Sequence, residues 1–129
     1  MRASGKARLE EEVRQLVEQG LEVERLEEAR DEWMTRALGG AGDLWDYVLV
    51  RVAIDFRREL TQDDDAVVVR TRLTRIGGSS LTLREEIVTL DGTVAAEAES
   101  VVVARDPATG RSRPLTDAER EAYAAVLVA

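Results

Sequence analysis

The stretch DGTVAAEAESVVVAR, residues 91–105, decides the fold. Asp91-Gly92 is a strong signal for a two-residue hairpin turn, because both central positions of such a turn need positive φ. The strand after the turn alternates with a period of two, so every second side chain shares one face. That face carries small residues between two valines (Val94, Ala96, Ala98, Ser100, Val102). Its alanines and serine leave room for a bulky element, and we expect a helix to pack there.

Three further segments alternate in the same way and predict strands at residues 47–56, 66–76 and 79–90. Asp63-Asp64-Asp65 and Gly77-Gly78 separate them as turn signals. Consecutive short connections of this kind predict an antiparallel meander. In the first strand, Val48, Val50, Val52, Ile54 and Phe56 are expected to point one way.

A helical pattern precedes the strands and predicts the element that the sheet surrounds. Its apolar positions include Leu26 and Trp33, and it stops at the glycine-rich run 39–42. A second, short helix is expected from Asp117 to about Leu127, because Thr116 and Glu119 have capping-box spacing. The prediction is an α+β fold in which an antiparallel sheet wraps around one long helix.

The first residues also read as helix. From residue 7 to residue 19, Leu9, Val13, Leu16 and Val17 recur at helical spacing. We therefore expect an extra N-terminal helix, with residues 1–20 as a helical extension of one domain that spans residues 1–129. That helix could cover a vacant edge of the sheet.

Composition excludes several classes of function. The net charge of −8 argues against nucleic-acid binding, which needs a basic face. The chain has no Cys and no His, which removes thiol and Ser-His-Asp catalysis and disfavours a catalytic metal. Neither a signal peptide nor a membrane span is visible, so a cytoplasmic protein is expected. No cofactor is expected, and any chemistry must use carboxylates, hydroxyls, arginines and backbone N–H groups.

Residues 48–120 resemble the 4-hydroxybenzoyl-CoA thioesterase-like branch of the hotdog superfamily. The likeness rests on an ordered series of stretches: IDFRREL (54–60), VVVRTRLTRIGGSSLTLREEI (67–87), LDGTVAAEAESVVVARD (90–106) and TGRSRPLTDAER (109–120). LEEARDEWM (26–34) is similar to the second half of that family's central helix. The resemblance implies a hotdog fold, thioesters of coenzyme A or acyl carrier protein as ligands, and a homodimer or tetramer assembled through the sheet.

The segment that carries the family's catalytic Asp has no counterpart here. Residues 1–25 contain no His, Asn or Asp. A second hotdog branch places a catalytic Glu on the helix, and the spacing of Gly20, Leu26 and Glu28 is similar to its pattern. This resemblance makes Glu28 the candidate general base and Gly20-Leu21, at the helix start, the candidate oxyanion site. The alternative is that Glu27, Glu28 and Asp31 form a solvated or subunit-facing surface.

Two further groups are candidates for substrate binding. Gly77, Ser79 and Ser80 lie between two strands and, by the resemblance, would form a wall of the thioester site. They could equally be a turn that uses Gly and Ser for local geometry. Arg57 and Arg75 could hold the coenzyme A phosphates, because guanidinium groups suit phosphate oxygens. Alternatively, such arginines balance acidic residues across an exposed sheet face.

Glu85 shares parity with the apolar positions of its strand and is expected to face inward, or to lie at the strand edge. The favoured interpretation of the whole chain is an acyl-CoA thioesterase-like enzyme. The alternative is a non-catalytic hotdog that binds or scaffolds after losing its acid. A hotdog dehydratase is less favoured, because that chemistry usually relies on His.

Overall fold

The computed structural model describes the backbone of residues 10–16, 22–58, 60 and 66–127, and the side chains of these ranges from residue 26 onward. Within these ranges, two α-helices and five strands follow one another, with a short 3₁₀ turn before the second strand. Their bounds are β1 Glu10–Leu16, α1 Glu22–Leu38, the 3₁₀ turn Leu44–Asp46, β2 Tyr47–Phe56, β3 Ala66–Ile76, β4 Ser80–Thr89, β5 Val94–Ala104 and α2 Asp117–Ala124.

The five strands form one antiparallel sheet in the order β1-β3-β4-β5-β2. α1 packs against one face of this sheet, where Trp33 is completely buried. The small residues Ala96, Ala98 and Ser100 of β5 are buried on the same face. The predicted α+β architecture, a long helix packed on one face of an antiparallel sheet, is confirmed. The helix lies over β3 and β4, and its side chains reach the small residues of β5.

The predicted N-terminal helix is wrong. Residues Glu10–Leu16 form a strand that pairs antiparallel with β3, where Val13 lies opposite Val69 and Glu12 opposite Arg70. The helical spacing of four apolar residues in a short segment is a weak local preference, whereas pairing with β3 satisfies a whole row of backbone N–H and C=O groups. The segment does cover the vacant sheet edge, as expected, but it does so as a strand.

The predicted alternation of β2 is also wrong in part, because of a bulge. Leu49 pairs with Val102 and Arg51 pairs with Val101, which leaves Val50 as an extra residue in the ladder. The bulge reverses the parity of the strand at that point. As a result Val52, Ile54 and Phe56 share the helix-facing side with Leu49, whereas Val48 lies on the opposite side.

The core divides into two apolar clusters along α1. Leu26 and Ala29, in the first half of the helix, pack near the start of β3 and the end of β4. Trp33, Met34 and Leu38 pack near the other end of these strands, together with Leu73, Leu81, Leu83 and Tyr123. The rings of Trp33 and Tyr123 stack with their centroids 6.5 Å apart. The two halves of the helix are therefore held by opposite ends of the sheet.

A buried carboxylate fastens α2 to the second cluster. Glu119 accepts two hydrogen bonds from the guanidinium of Arg113, at 2.7 and 3.0 Å, and one from the hydroxyl of Tyr47 at 2.6 Å. It also accepts from the backbone N–H of Thr116, which completes the predicted capping box. Burial alone would raise the pKa of Glu119, but these hydrogen bonds outweigh it and lower the pKa to about 2.

Replacing Leu83 by Ala should destabilise the protein by about 2–5 kcal/mol, because this side chain is fully buried between the sheet and α1. Leu90 lies in the turn after the same strand and is 54% exposed. Its replacement by Ala should cost no more than about 0.5 kcal/mol. Urea unfolding of both variants measures the difference, and equal effects would contradict the described core.

Glu119→Gln should alter the acid side of the stability profile. The ionised group has a folded-state pKa of about 2, below its ordinary 4.5, so its stabilising effect is present above that ordinary value and is lost as the pH falls toward 2. The wild type should therefore exceed the variant in unfolding free energy at pH 7, and this gap should shrink between pH 4.5 and 2. A gap that is constant over this range would show that Glu119 titrates normally.

Candidate functional site

The outer surface of α1 is acidic. Leu26, Ala29 and Trp33 occupy the sheet-facing stripe of the helix and are buried. Glu27, Glu28, Asp31 and Glu32 lie between them and are exposed. Partial desolvation raises the pKa of Asp31 above its ordinary value; Arg30 opposes this rise, and Glu27 adds to it. Carboxylates therefore line the first half of the helix on its solvent side.

Glu28 lies within this acidic surface, less than two turns after Glu22, where the described part of α1 begins. Its side chain is exposed and points away from the sheet. The candidate oxyanion residues Gly20 and Leu21 lie outside the described residues. An exposed carboxylate here would meet a substrate only on the outer side of the helix. The role of Glu28 as a general base stays a prediction.

A polar network lies beneath α1. Arg30, which is 4% exposed, donates from Nη2 to Oε1 of Glu85 at 3.1 Å and from Nε to Oγ of Ser100 at 3.2 Å. The hydroxyl of Ser100 donates to the same oxygen of Glu85 at 3.0 Å. The inward orientation predicted for Glu85 is confirmed, since 1% of the residue is exposed. One helix and two strands thus meet in a closed set of hydrogen bonds.

Two oxygens of this polar layer have no hydrogen-bond partner among the described residues. They are Oε2 of Glu85 and Oγ1 of Thr71, residues directly opposite each other on β4 and β3. Burial raises the pKa of Glu85 above its ordinary value, although the charge and hydrogen bonds of Arg30 and the hydroxyl of Ser100 oppose the rise. The layer separates the two apolar clusters, so the Arg30–Glu85 pair crosses the middle of the core.

The hairpin between β3 and β4 holds Gly77, Ser79 and Ser80. The N–H of Gly77 donates to the carbonyl of Ser80 at 2.7 Å, and a Cβ at Gly77 would overlap the Ser80 hydroxyl. Neither Gly77 nor Gly78 has a positive φ, so a left-handed conformation does not explain the glycine at residue 77. Arg120 donates to the carbonyls of both glycines, at 2.9 and 3.1 Å, and ties the hairpin to α2.

The two candidate arginines lie in different places. Arg57 follows β2 and forms an ion pair with Glu97 of the neighbouring strand, so its guanidinium already has a carboxylate partner. Arg75 lies near the end of β3, just past a bulge at Thr74, and is exposed close to the 77–80 hairpin. The contact of Arg57 and Arg75 with a ligand's phosphate stays a prediction.

Within one chain the predicted site residues form two separate groups. Leu26, just before Glu28, packs against Val67 at the start of β3. The hairpin follows Ile76 at the other end of this strand, about 30 Å away at roughly 3.3 Å per residue. A single chain thus keeps the acidic helix surface apart from Arg75, Gly77, Ser79 and Ser80.

The helix-facing side of β2 is uncovered. β2 is an edge strand that pairs only with β5 among the described strands. Val52 is 42% exposed and Phe56 is 61% exposed, although both share their face with the buried alanines of β5. Ile54, which lies between them on this face, is half-buried and packs onto the core. An apolar strip therefore flanks α1 along the open edge of the sheet.

Sequence reasoning missed the burial of Arg30. The signal was present in its spacing: Arg30 lies four residues after Leu26 and three before Trp33, on the stripe that faces the sheet. A charged residue on such a stripe requires a partner in the core. Glu85, recognised by its parity, and Ser100, recognised on the small face of β5, were the two partners available.

The helix, the sheet order and the alanine-lined strand define a hotdog domain. Residues 21–123 match the family model of the thioesterase-like superfamily, and the chain belongs to this superfamily. The finer likeness to the 4-hydroxybenzoyl-CoA branch stays a prediction. No curated protein matches the chain.

Solved structures share the fold. A predicted thioesterase from Bacillus stearothermophilus is 24% identical with a TM-score of 0.77, over 94% of this chain and 99% of that one. A thioesterase from Thermus thermophilus, complexed with coenzyme A and zinc, is 25% identical with a TM-score of 0.73, over 87% and 90%. A Staphylococcus aureus protein in complex with coenzyme A is 12% identical with a TM-score of 0.74, over 95% and 88%.

The described residues offer neither a metal site nor a membrane-spanning helix. No group of three or more acidic, His or Cys side chains among them is arranged to hold a metal ion. Neither α1 nor α2 has the length and apolarity needed to cross a membrane, as far as the described parts of the helices go.

Proposed function

We propose that this protein hydrolyses an acyl thioester of coenzyme A or of acyl carrier protein, in the cytoplasm. The observation that carries the proposal is the match of residues 21–123 to the thioesterase-like superfamily. Two proteins that share the fold are complexes with coenzyme A, which supports this class of ligand. The exposed carboxylates along the first half of α1 supply the chemistry that a chain without His and Cys has available.

Hydrolysis of a thioester requires an activated water and donors for the developing oxyanion. In the proposed arrangement Glu28 removes a proton from the attacking water. The N–H groups at the start of α1, near Gly20 and Leu21, stabilise the negative charge that develops on the carbonyl oxygen, with help from the helix dipole. Arg75, with its exposed guanidinium, binds a phosphate of the carrier.

The assembly that suits this arrangement is a homodimer through β2. An open edge strand with exposed Val50, Val52 and Phe56 tends to be paired or covered. In an antiparallel pair of two β2 strands, the end of β2 in one protomer lies beside the start of β2 in its partner. The first half of α1 would then lie at the same end as the hairpin 77–80 of the partner, which reunites the two separated groups.

A binding module without catalysis is the second candidate. Residues 1–25 lack the His, Asn and Asp that members of the 4-hydroxybenzoyl-CoA thioesterase-like branch carry before the helix. This difference favours a protein that has lost hydrolytic activity. Such a protein would keep the fold and the ligand contacts. It would bind coenzyme A or its thioesters and leave them intact.

Glu28→Gln should lower kcat/KM for acyl-CoA hydrolysis by about 10²–10⁴-fold, the usual contribution of a general base. Glu32→Gln is the matched control, because Glu32 lies one turn later on the same exposed surface and pairs with Arg36 at 3.3 Å. Its turnover should stay within about twofold of the parent. A panel of acyl-CoAs of different chain length, read by release of free thiol, gives the rates.

The outcomes separate the candidates. Unchanged turnover in Glu28→Gln would remove Glu28 from the mechanism while leaving a thioesterase. A parent protein that binds coenzyme A in calorimetry but hydrolyses no thioester of the panel would favour the binding module. The absence of both turnover and binding would overturn the proposed ligand class.

The purified protein should have the mass of a dimer in analytical ultracentrifugation. Val52→Glu should yield monomers, because it places a charge in the apolar strip along β2. Leu90→Glu changes an exposed leucine in the β4–β5 turn and should remain dimeric. A monomeric parent, or a dimeric Val52→Glu protein, would contradict assembly through this edge.

A further inference from the structure

The packing of α1 on the sheet is mostly apolar, and apolar contacts have little directional preference. Leu26, Ala29, Trp33 and Met34 bury the helix by contacts of this apolar kind. Arg30 differs, because its guanidinium donates from two separate nitrogens to side chains on two strands. Hydrogen bonds of this kind weaken steeply when their angles or distances change.

We propose that the Arg30–Glu85–Ser100 network fixes the position of α1 along the sheet, and thereby positions the residues at the start of the helix for the reaction. Arg30 and Glu85 are positioning residues in this view, and they touch no substrate. The positioning of residues for the reaction rests on the proposed function. The fixation of the helix itself does not depend on it.

The network is well placed for such a role. Three hydrogen bonds close a ring between Arg30 on α1, Glu85 on β4 and Ser100 on β5. A displacement of the helix by one residue, about 1.5 Å, would break all the contacts that Arg30 makes. Arg30 is eight residues from Glu22, or about 12 Å along the helix, and a rigid helix transmits the displacement in full.

Stability alone gives a poor account of this pair. Arg30 and Glu85 are both desolvated, with side-chain exposures of 5% and 0%. Replacement of a buried ion pair by apolar side chains of similar volume is often neutral or stabilising, whereas removal of one partner is strongly destabilising. A core built for stability alone would use two apolar residues here. The charged pair adds direction to the contact.

The test compares Arg30→Met, Glu85→Leu and the double variant with the parent. Each single variant leaves a buried charge without its partner, so both should melt at a lower temperature. The double variant should regain the melting temperature of the parent or exceed it. Its amides at residues 22–30 should nevertheless exchange with deuterium at least about 10-fold faster. Turnover should stay about 10–100-fold lower through kcat, with KM little changed, because misplacement by about 1 Å is costly.

Two variants serve as controls. Thr71→Val removes a hydroxyl of the same layer that makes no hydrogen bond to the described side chains of α1 or of the sheet. It should leave melting temperature, exchange and turnover at parental values or raise the melting temperature. Glu85→Gln keeps an acceptor oxygen for Arg30 and Ser100 and should retain most of the parental exchange protection and turnover. Should the double variant fail to fold, the contrast between Glu85→Gln and Glu85→Leu carries the test.

The readouts distinguish the two proposals. Parental exchange and turnover in a stable double variant would overturn the positioning role. Faster exchange with parental turnover would overturn its part in the reaction. A parent that hydrolyses no thioester would defeat the proposed function, and the exchange of residues 22–30 would still decide whether the network holds the helix.

Discussion

Helix α1 lies across β3 and β4, and the small side chains of the adjacent β5 complete the face on which its buried residues pack. Ala96 and Ala98 belong to the same buried cluster as Leu26 and Ala29, whereas Trp33 packs in the other cluster, with Leu73 and Leu83 of β3 and β4. Larger residues in β5 would lift the helix and leave voids, which cores tolerate poorly. The same packing leaves β2 beyond the reach of α1, which explains why the apolar side chains of this strand remain exposed.

The charged layer in the middle of the core differs from the apolar packing on either side of it. Arg30 and Glu85 give up hydration, and within the described part of the chain the oxygens Oε2 of Glu85 and Oγ1 of Thr71 make no hydrogen bond. Unpaired buried oxygens cost free energy that apolar residues would not. Helix α1, β4 and β5 nevertheless each contribute one side chain, Arg30, Glu85 and Ser100, to a single hydrogen-bonded network. A network of this kind indicates that the position of α1 on the sheet is specified by hydrogen bonds in addition to apolar burial.

The features predicted correctly from the sequence depend on short local patterns: the alternation of side chains along a strand and the residues that begin a helix. The alternation in β5 and the parity of Glu85 identified the inner face of the sheet, and the Thr116 capping box identified the start of α2. The sequence failed where a partner strand decides. Residues 10–16 have a helical pattern, yet an open edge of β3 makes them a strand. The bulge at Val50 likewise depends on the ladder with β5, which no local pattern in β2 reveals.

The separation of the candidate site residues has a geometric consequence for the assembly. The acidic surface of α1 and the exposed Arg75 near the hairpin lie at opposite ends of β3. One end of a single chain therefore does not offer both a carboxylate of the α1 surface for the thioester and Arg75 for a phosphate of the carrier. Antiparallel pairing of two β2 edges places unlike ends side by side, and the uncovered strip through Val52 and Phe56 then lies between them. In the proposed homodimer, the exposed edge of β2 would therefore bring the two groups of candidate residues together.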